Sequence, residues 1–532
     1  MTRRLGAALG VIAVAAAAWW FVAERTARAG SVAVTAIAVL PFQDTTSSSD
    51  SSYLGAGMTE GLIGDLSEVG SLKVMSRASG MMAQVTSRSL ADVATGLGVD
   101  AVIDGSIRRV GDSVRVNVRF VHPSDSTPLF AKEYVRRLGE LPNLQREIAT
   151  AVIASISTKV DRTERQRLDA RDEVDQRAYD AYLRGRFHLE RDELEQAHTF
   201  FEQAAQIAPR WAPPQVGLAN YYTALPFSTD IPPVEVLPKA RAALAQALEL
   251  DETLAEAHAA NAYIRAYYEW DRRAAEQEFK RALQLRPNYA DAYFSYGRFL
   301  ASRRRLDEAI AQLERAVELD PLSLSLQANR ALLDYFAGRY GEAESRLREI
   351  LKRDSTDDVA KWGLAPVDEH QGRVGEAIAI LAPMSATGFN RRSSLAHMYA
   401  VAGKPAQARS ILTSLRAAAA TSYVPSYWFA LVHAGLGERE QALRYLERAY
   451  EERSTVLAYV LIDPRLAPLR SDPRFVASLS GSAAVERASG YGGGEPTGAI
   501  ASFGPVMLPS SRSLISIVVV PRSRRKVTSR PL

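Results

Sequence analysis

The 532-residue sequence contains no cysteine. That absence removes disulfides, thiolate catalysis and cysteine-ligated zinc together, and with them any reading of redox compartment. Charge of one sign is also scarce. The 65 basic and 61 acidic side chains leave a net +4, so no broad basic surface, and no nucleic-acid partner, is expected. No HExxH, GxSxG, Walker A or kinase signature occurs, and His122, His188, His198, His258, His370, His397 and His433 are too scattered to form a close metal-ligand pair. The carboxylates, as in Asp307-Glu308 and at Glu342, read as solvated faces. The chain is therefore expected to be no enzyme, with no catalytic, cofactor or metal-binding residues.

Long apolar runs are few, and one stands out. Residues 5–23 follow Arg3 and Arg4 without a break in apolarity and close on Trp19, Trp20 and Phe21. As a helix this run rises about 28 Å, close to the hydrocarbon thickness of a bilayer. The arginines weight residues 1–4 as cytoplasmic. The expectation is a single-pass anchor in a bacterial inner membrane with the bulk of the chain periplasmic. The competing reading is a signal sequence cut near Ala27-Arg28-Ala29, releasing the chain to the periplasm.

With 47% apolar residues the remainder can bury a core, and its length predicts two or more folded units. Residues 31–160 alternate between strand-like and helix-like texture. Residues 32–42 form a β-branched apolar run, residues 53–69 carry Leu54, Met58, Leu62 and Leu66 on one helical stripe, and residues 72–76 read as a second strand. Residues 90–97 read as a helix. Residues 99–135 alternate as strands around a turn at Gly111-Asp112, and residues 144–156 close as an amphipathic helix. This is the pattern of a small α/β domain.

The runs IAVLPF (37–42), YLGAGMTEGLIGDLSEVGSLKVMSR (53–77), VDAVIDGSIRRVGDSVRVNVRFV (99–121) and LQREIATAVIASI (144–156) resemble the TolB amino-terminal-like domain. In bacterial multidomain proteins that domain commonly follows a membrane helix and precedes helical repeats, often downstream of a cytoplasmic winged-helix, kinase or nucleotide-cyclase domain. Only four residues precede the apolar run here, so no such output domain is expected on this chain. Within the segment, Gly55, Gly57 and Gly61 could bring helix amides to a phosphate. Their spacing misses the dinucleotide fingerprint and no P-loop lysine follows, so the reading preferred is relief of a tight entry into the helix.

Residues 161–175 alternate in charge and read as a solvated linker. From 176 to 480 the chain repeats itself. Ala197, Ala240, Ala275, Ala309, Ala343, Ala377, Ala408 and Ala442 recur at intervals of 43, 35, 34, 34, 34, 31 and 34 residues. Gly185, Ala197, Phe201, Ala204 and Pro209 are matched by Gly297, Ala309, Leu313, Ala316 and Pro321. A period of thirty-four is the tetratricopeptide signature, and the chain is read as an all-α tetratricopeptide solenoid of about eight units. The enlarged interval contains Pro-rich residues 225–238, read as a long loop between the helices of the second unit. Asp463-Pro-Arg-Leu466 and the run to Phe475 resemble the closing motif of such arrays and are expected to cap the last hydrophobic face.

The first helix of each unit should line a concave groove holding a protein partner. By register Tyr182, Arg186, Asn220, Tyr263, Phe294, Arg298 and Tyr335 point into it, and aromatics and arginines are hot-spot types. Residues 481–532 turn Gly-rich, then β-prone at 514–520, then basic at 522–526, and read as a coreless tail. The function expected is a non-enzymatic, membrane-anchored scaffold binding a protein partner. The alternative is the sensory half of a signalling or transcriptional regulator that lacks its output domain.

Overall fold

The computed structural model describes residues 34–46, 52–86, 89–123, 128–156, 162, 164, 174–228, 231–384 and 388–475. The run at 5–23, nearly all of the linker and the tail from 481 lie outside them. Among the described residues no helix is long and apolar enough to cross a membrane.

The N-terminal unit is built on a mixed sheet of β1 (Ala36–Val39), β2 (Gln43–Asp44), β3 (Lys73–Val74), β4 (Ala101–Val110), β5 (Ser113–Val121) and β6 (Pro128–Arg137). The order is β3-β1-β4-β5-β6, with β2 pairing β4 off that path. Strands β3, β1 and β4 run parallel, while β4, β5 and β6 form an antiparallel meander. Side-chain alternation sorts the strands' two faces. In β1, Ile37 and Val39 enter one core while Ala36 and Ala38 enter the other. In β5, Val114, Val116, Val118 and Phe120 are buried and Arg115, Asn117 and Arg119 are exposed.

Helix α1 (Ser52–Ser67) buries Leu54, Met58, Leu62 and Leu66 completely in the first core, beside α4 (Leu141–Ala154). The second core is closed by α2 (Arg77–Thr86) and α3 (Leu90–Leu97). Helix α3 is punctuated at both ends, with the Ser89 hydroxyl accepting from the Asp92 amide and Gly98 left-handed at φ 64°. The glycines of α1 serve close packing. A Cβ at Gly55 would overlap the Phe42 carbonyl, one at Gly57 the Leu183 side chain, and one at Gly61 the Gln145 amide.

From Gln176 the chain folds into eight helical hairpins among the described residues. They are α5 (Gln176–Leu189) with α6 (Leu194–Ile207), α7 (Pro213–Ser228) with α8 (Pro233–Leu250), and α9 (Ala255–Ile264) with α10 (Arg272–Leu285). Next come α11 (Ala290–Ser302) with α12 (Leu306–Leu319), α13 (Leu324–Phe336) with α14 (Tyr340–Arg353), and α15 (Asp358–His370) with α16 (Val374–Met384). The last two are α17 (Phe389–Val401) with α18 (Pro405–Ala419) and α19 (Ser426–Gly435) with α20 (Arg439–Glu451).

The recurring alanines Ala197, Ala240, Ala275, Ala309, Ala343, Ala377, Ala408 and Ala442 are completely buried, at the positions where paired helices cross too closely for larger side chains. Gly185 makes room for Phe201 and Gly297 for Leu313 in the same way. Residues 225–238 do not form the long loop expected of them. Helix α7 continues to Ser228 and α8 begins at Pro233 and contains Pro238, so the enlarged interval goes mostly into longer helices. Pro233 sits in the first turn, where no amide partner is lost.

Two long-range contacts shape the array. Helix α5 belongs to both units, since Tyr179 and Leu183 are buried in the first core of the sheet. At the other end, residues 453–475 fold back inside the array rather than only capping α20. The Arg453 guanidinium lies 4.6 Å from the Trp270 ring centre, and Trp270 stacks obliquely on Tyr450 at 4.6 Å. The third hairpin therefore meets the eighth. Leu457, Val460, Ile462, Leu466, Leu469 and Phe475 share one core with Phe294, Phe299, Leu333 and Trp362.

Candidate functional site

Tyr182 and Arg186 of α5 and Glu190, which caps its C-terminus, are spaced by four and follow one helix face. Opposite them stand Val216, Gly217 and Asn220 of α7, and α1 contributes Glu60 from the sheet unit. Glu256 of α9 joins the wall, as do Arg286 and Tyr289 after α10 and Asp291 of α11. Together they enclose a cavity of about 170 Å³ with an apolar floor that includes Leu189, Phe201 and Leu254. The edge of Tyr182 packs on Trp211, ring centres 4.9 Å apart, which fixes the tyrosine's position.

The wall is an ion-pair network. Arg77 spans Glu60 and Glu190 at 2.5 Å each. Arg186 stands 3.5 Å from Glu60 and 3.9 Å from Glu190, and Arg286 reaches Glu256 at 2.6 Å. Burial pushes the Glu60 carboxyl up, but Arg77 and Arg186 outweigh it and hold the group below its ordinary range. At Glu190 burial prevails, reinforced by the negative charge of Glu60, and the carboxyl lies above its ordinary range. Burial likewise pushes the Tyr182 and Tyr289 hydroxyls up, so both are neutral hydrogen-bonding groups at neutral pH. The cleft thus presents fixed charges of both signs, neutral hydroxyls and apolar side chains.

Of the seven side chains expected in a groove, the structure brings Tyr182, Arg186 and Asn220 together here. Tyr263 is half-buried outside the cleft, its ring centre 4.8 Å from that of Tyr267. Phe294, Arg298 and Tyr335 are buried, at 2%, 6% and 2% exposure, and offer a partner no surface. Tyr335 is buried in the core of its own and the next hairpin, with Leu347 and Leu364, and the returning C-terminal segment lies close to Phe294 and Tyr335. Phe294 shares its core with Leu457 and Val460, the charges of Asp463 and Arg465 act on Tyr335, and Arg298 lies over the Tyr267 and Phe294 rings at 5.7 and 5.5 Å. Asp463 itself is paired with Arg465 at 2.9 Å and accepts from the Tyr427 hydroxyl, all buried.

The cleft residues that the sequence did not single out are Glu60, Glu190, Glu256, Arg286, Tyr289 and Asp291. Glu60 arrives from another unit, and Arg286 and Tyr289 lie between repeats, where no helical register marks them. A second hollow of about 310 Å³ lies just past the end of β1 and against the middle of β4, beside the Arg119–Asp104 ion pair.

Residues 269–333 match the family model of the tetratricopeptide repeat. A protein of Rhizobium meliloti (strain 1021) named "Putative adenylate cyclase 3" is 32% identical over 150 residues, 28% of this chain and 26% of that protein. The Caenorhabditis elegans protein O-mannosyl-transferase F38B6.6 is 33% identical over 89 residues, 17% of this chain and 13% of that protein. The chain thus spans about a quarter and about an eighth of these relatives' lengths. Among solved structures, Pseudomonas aeruginosa PilF is 20% identical with a TM-score of 0.31, covering 39% of this chain and 91% of that one. The type IV pilus biogenesis factor PilW is 22% identical with a TM-score of 0.32, covering 39% and 93%.

Proposed function

We propose that this chain, which carries tetratricopeptide repeats, is a non-enzymatic scaffold that holds an extended segment of a protein partner in the cleft between its sheet unit and its first hairpins. The observation that carries this reading is where the array's inner side remains open. Residues 453–475 fill it from the third hairpin onward, while Tyr182, Arg186 and Asn220 stay together at an open cavity. Asn220 can donate to and accept from a peptide backbone, Tyr182 adds a hydroxyl on a rigid ring, and Arg186 can take a carbonyl or carboxylate. In the same reading the sheet unit is a TolB amino-terminal-like domain, and the run at 5–23 anchors the chain to the inner membrane with the folded part in the periplasm.

The test is cross-linking and pull-down from membranes with the intact chain and with Arg186→Ala/Asn220→Ala. Partner capture should fall by about tenfold or more while the circular dichroism melt stays within a few degrees of wild type. Undiminished capture by the double variant would sink the cleft. A C-terminal reporter active only in the cytoplasm would sink the topology.

A second reading is favoured by the similarity to the R. meliloti protein named for adenylate cyclase activity. Here the chain is the sensory half of a signalling system whose output lies on another chain. A captured partner that makes nucleotide signals or acts on transcription would select it.

A further inference from the structure

Helix α9 supplies Glu256 to the cleft, and the residue just before it, Leu254, is part of the apolar floor. In α10, α13 and α15 the N-terminal side chains of Asp271, Ser323 and Asp357 accept from the first helical turn. Leu254 stands at the corresponding position of α9 and makes no such bond. The connection from α8, residues 251–254, is fastened from inside the helix instead. His258 of α9 turns Nε2 to the Glu252 carbonyl at 2.9 Å and Nδ1 to the Glu278 carboxylate of α10 at 2.6 Å, its side chain 12% exposed.

Both ring nitrogens therefore face acceptors. A neutral imidazole carries a single N–H, so it satisfies one acceptor and turns a lone pair on the other, whereas the imidazolium donates to both. Burial alone pushes the ring's pKa down, and Arg281 of α10 acts in the same direction. The Glu278 carboxylate and the Glu252 carbonyl outweigh them and hold it above its ordinary value. These three groups act most strongly on the ring, and α7, α8 and α11, which also pack on α9, contribute none of them. His433 is the contrast. Its Nδ1 meets Glu438 at 2.5 Å but its Nε2 lies 3.4 Å from the Arg416 guanidinium, a donor, so a neutral ring fits there and burial pushes its pKa down. His397 also faces two acceptors, the Leu431 carbonyl and Glu369, but it belongs to α17 and lines no part of the cleft.

We propose that His258 is a pH-dependent tie for the α9 side of the cleft: charged, it fastens residues 251–254 to α10 and sets Leu254 and Glu256 in place, and neutral, it lets that connection go. The inference rests on the scaffold reading of the cleft and adds its regulation, since a partner's segment is then held more tightly in acid than in alkali. Glu256 carries the effect onward, because it lies two residues before His258 and holds Arg286 at 2.6 Å. The direction follows from linkage. The ring binds its proton more tightly in the folded chain than in the unfolded one, so the tie is complete below about pH 6.5, where an unfolded histidine titrates, and is lost as pH rises through the folded value.

The test uses full-length chain. Asp65 titrates in the same range, so every arm carries Asp65→Asn. With isotope-labelled histidine, the His258 ring resonance is assigned by its loss in His258→Gln. It should titrate above about pH 6.5, and at clearly lower pH once Glu278→Gln removes the carboxylate. Amide exchange at residues 252–257, corrected for its intrinsic pH dependence, should quicken about tenfold from about pH 6 to about pH 8.5, and should be fast at both values in His258→Gln. A partner captured from membranes should be held about fivefold more tightly at the lower pH, with no such difference in His258→Gln. Exchange indifferent to pH, or a ring titration that Glu278→Gln leaves in place, overturns the proposal. Capture that ignores pH while still depending on Arg186 and Asn220 also overturns it and leaves the scaffold reading standing. If that dependence is absent as well, the scaffold reading falls too.

Discussion

Asp65 of α1 stands 3.9 Å from Arg146 of α4. Burial pushes its carboxyl up to about 8, Arg146 opposing and Glu68 adding to the rise. An unfolded aspartate titrates near about 3.9. Between those values the folded chain holds a proton that the unfolded chain does not. The stability this proton confers is complete below about pH 4 and is lost as pH rises towards about 8, at up to about 1.4 kcal/mol per unit. Asp65→Asn cannot lose a proton there. It should melt several degrees above wild type at pH 8 and show no such advantage at pH 4, by calorimetry at both values. Parallel melting profiles for the two proteins would refute the assignment. Gly297 makes a steric prediction at the same scale. A methyl there overlaps Leu313 and comes within 3.0 Å of the Ala309 carbonyl. Gly297→Ala should therefore cost about 1–3 kcal/mol in urea unfolding, although alanine is the better helix former.

At the scale of elements, the hairpins and the returning segment differ in how far the sequence reveals them. The alanines and glycines at the crossings repeat because each hairpin solves the same local packing problem, so the repeat region was readable as paired helices. The sheet's buried runs and the α1 stripe were readable for the same reason. Helix α2 was not. It has a glycine at its centre and its consecutive Met81 and Met82 are both exposed, so no apolar stripe announces it. The destination of residues 453–475 was less readable still, because it depends on Trp270 and Phe294, far away along the chain. Tyr182, Arg186 and Asn220 could be placed by register as well as Phe294, Arg298 and Tyr335 could. What separates the two sets is burial against neighbouring hairpins and, for Phe294, the core shared with the returning segment, neither of which the register shows.

That segment contains a buried ion pair, tied to the array by the Tyr427 hydroxyl on Asp463 and by Ser394 on Arg465, which makes it testable. Asp463 and Arg465 are both almost fully buried, with Ser394 accepting from Arg465 at 3.3 Å. Arg465→Ala leaves the Asp463 carboxylate without its cation and should cost about 3–5 kcal/mol. Replacing both, as Asp463→Asn with Arg465→Met, should cost clearly less, since no charge is then stranded. Urea midpoints for the two variants decide it. An equal loss in both would mean that shape, and not the ion pair, holds the segment.

At the scale of the whole molecule the question is whether sheet and array unfold separately. The sheet unit is fastened along the hairpins at several points. The Asn288 amide donates to the carbonyls of Val69 and Leu72 at 3.0 and 2.7 Å, the Ser76 amide donates to the Leu319 carbonyl at 2.9 Å, and the Tyr53 hydroxyl donates to Asp180 at 2.5 Å. Leu183 is the deeper link, because this residue of α5 packs against Gly57 of α1 inside the sheet's own core. Truncating it removes burial from both units at once, at a cost of about 2–5 kcal/mol. If they form one cooperative unit, Leu183→Ala should accelerate amide exchange in α1, α4 and α5 by similar factors, roughly thirtyfold to several thousandfold when exchange follows the opening equilibrium. Acceleration confined to α5 and α6, with α1 and α4 as slow as in wild type, would mean that the sheet is docked on the array rather than built into it. The cleft between them would then be a joint free to open, and a segment bound there would alter the angle between the two units instead of filling a fixed site.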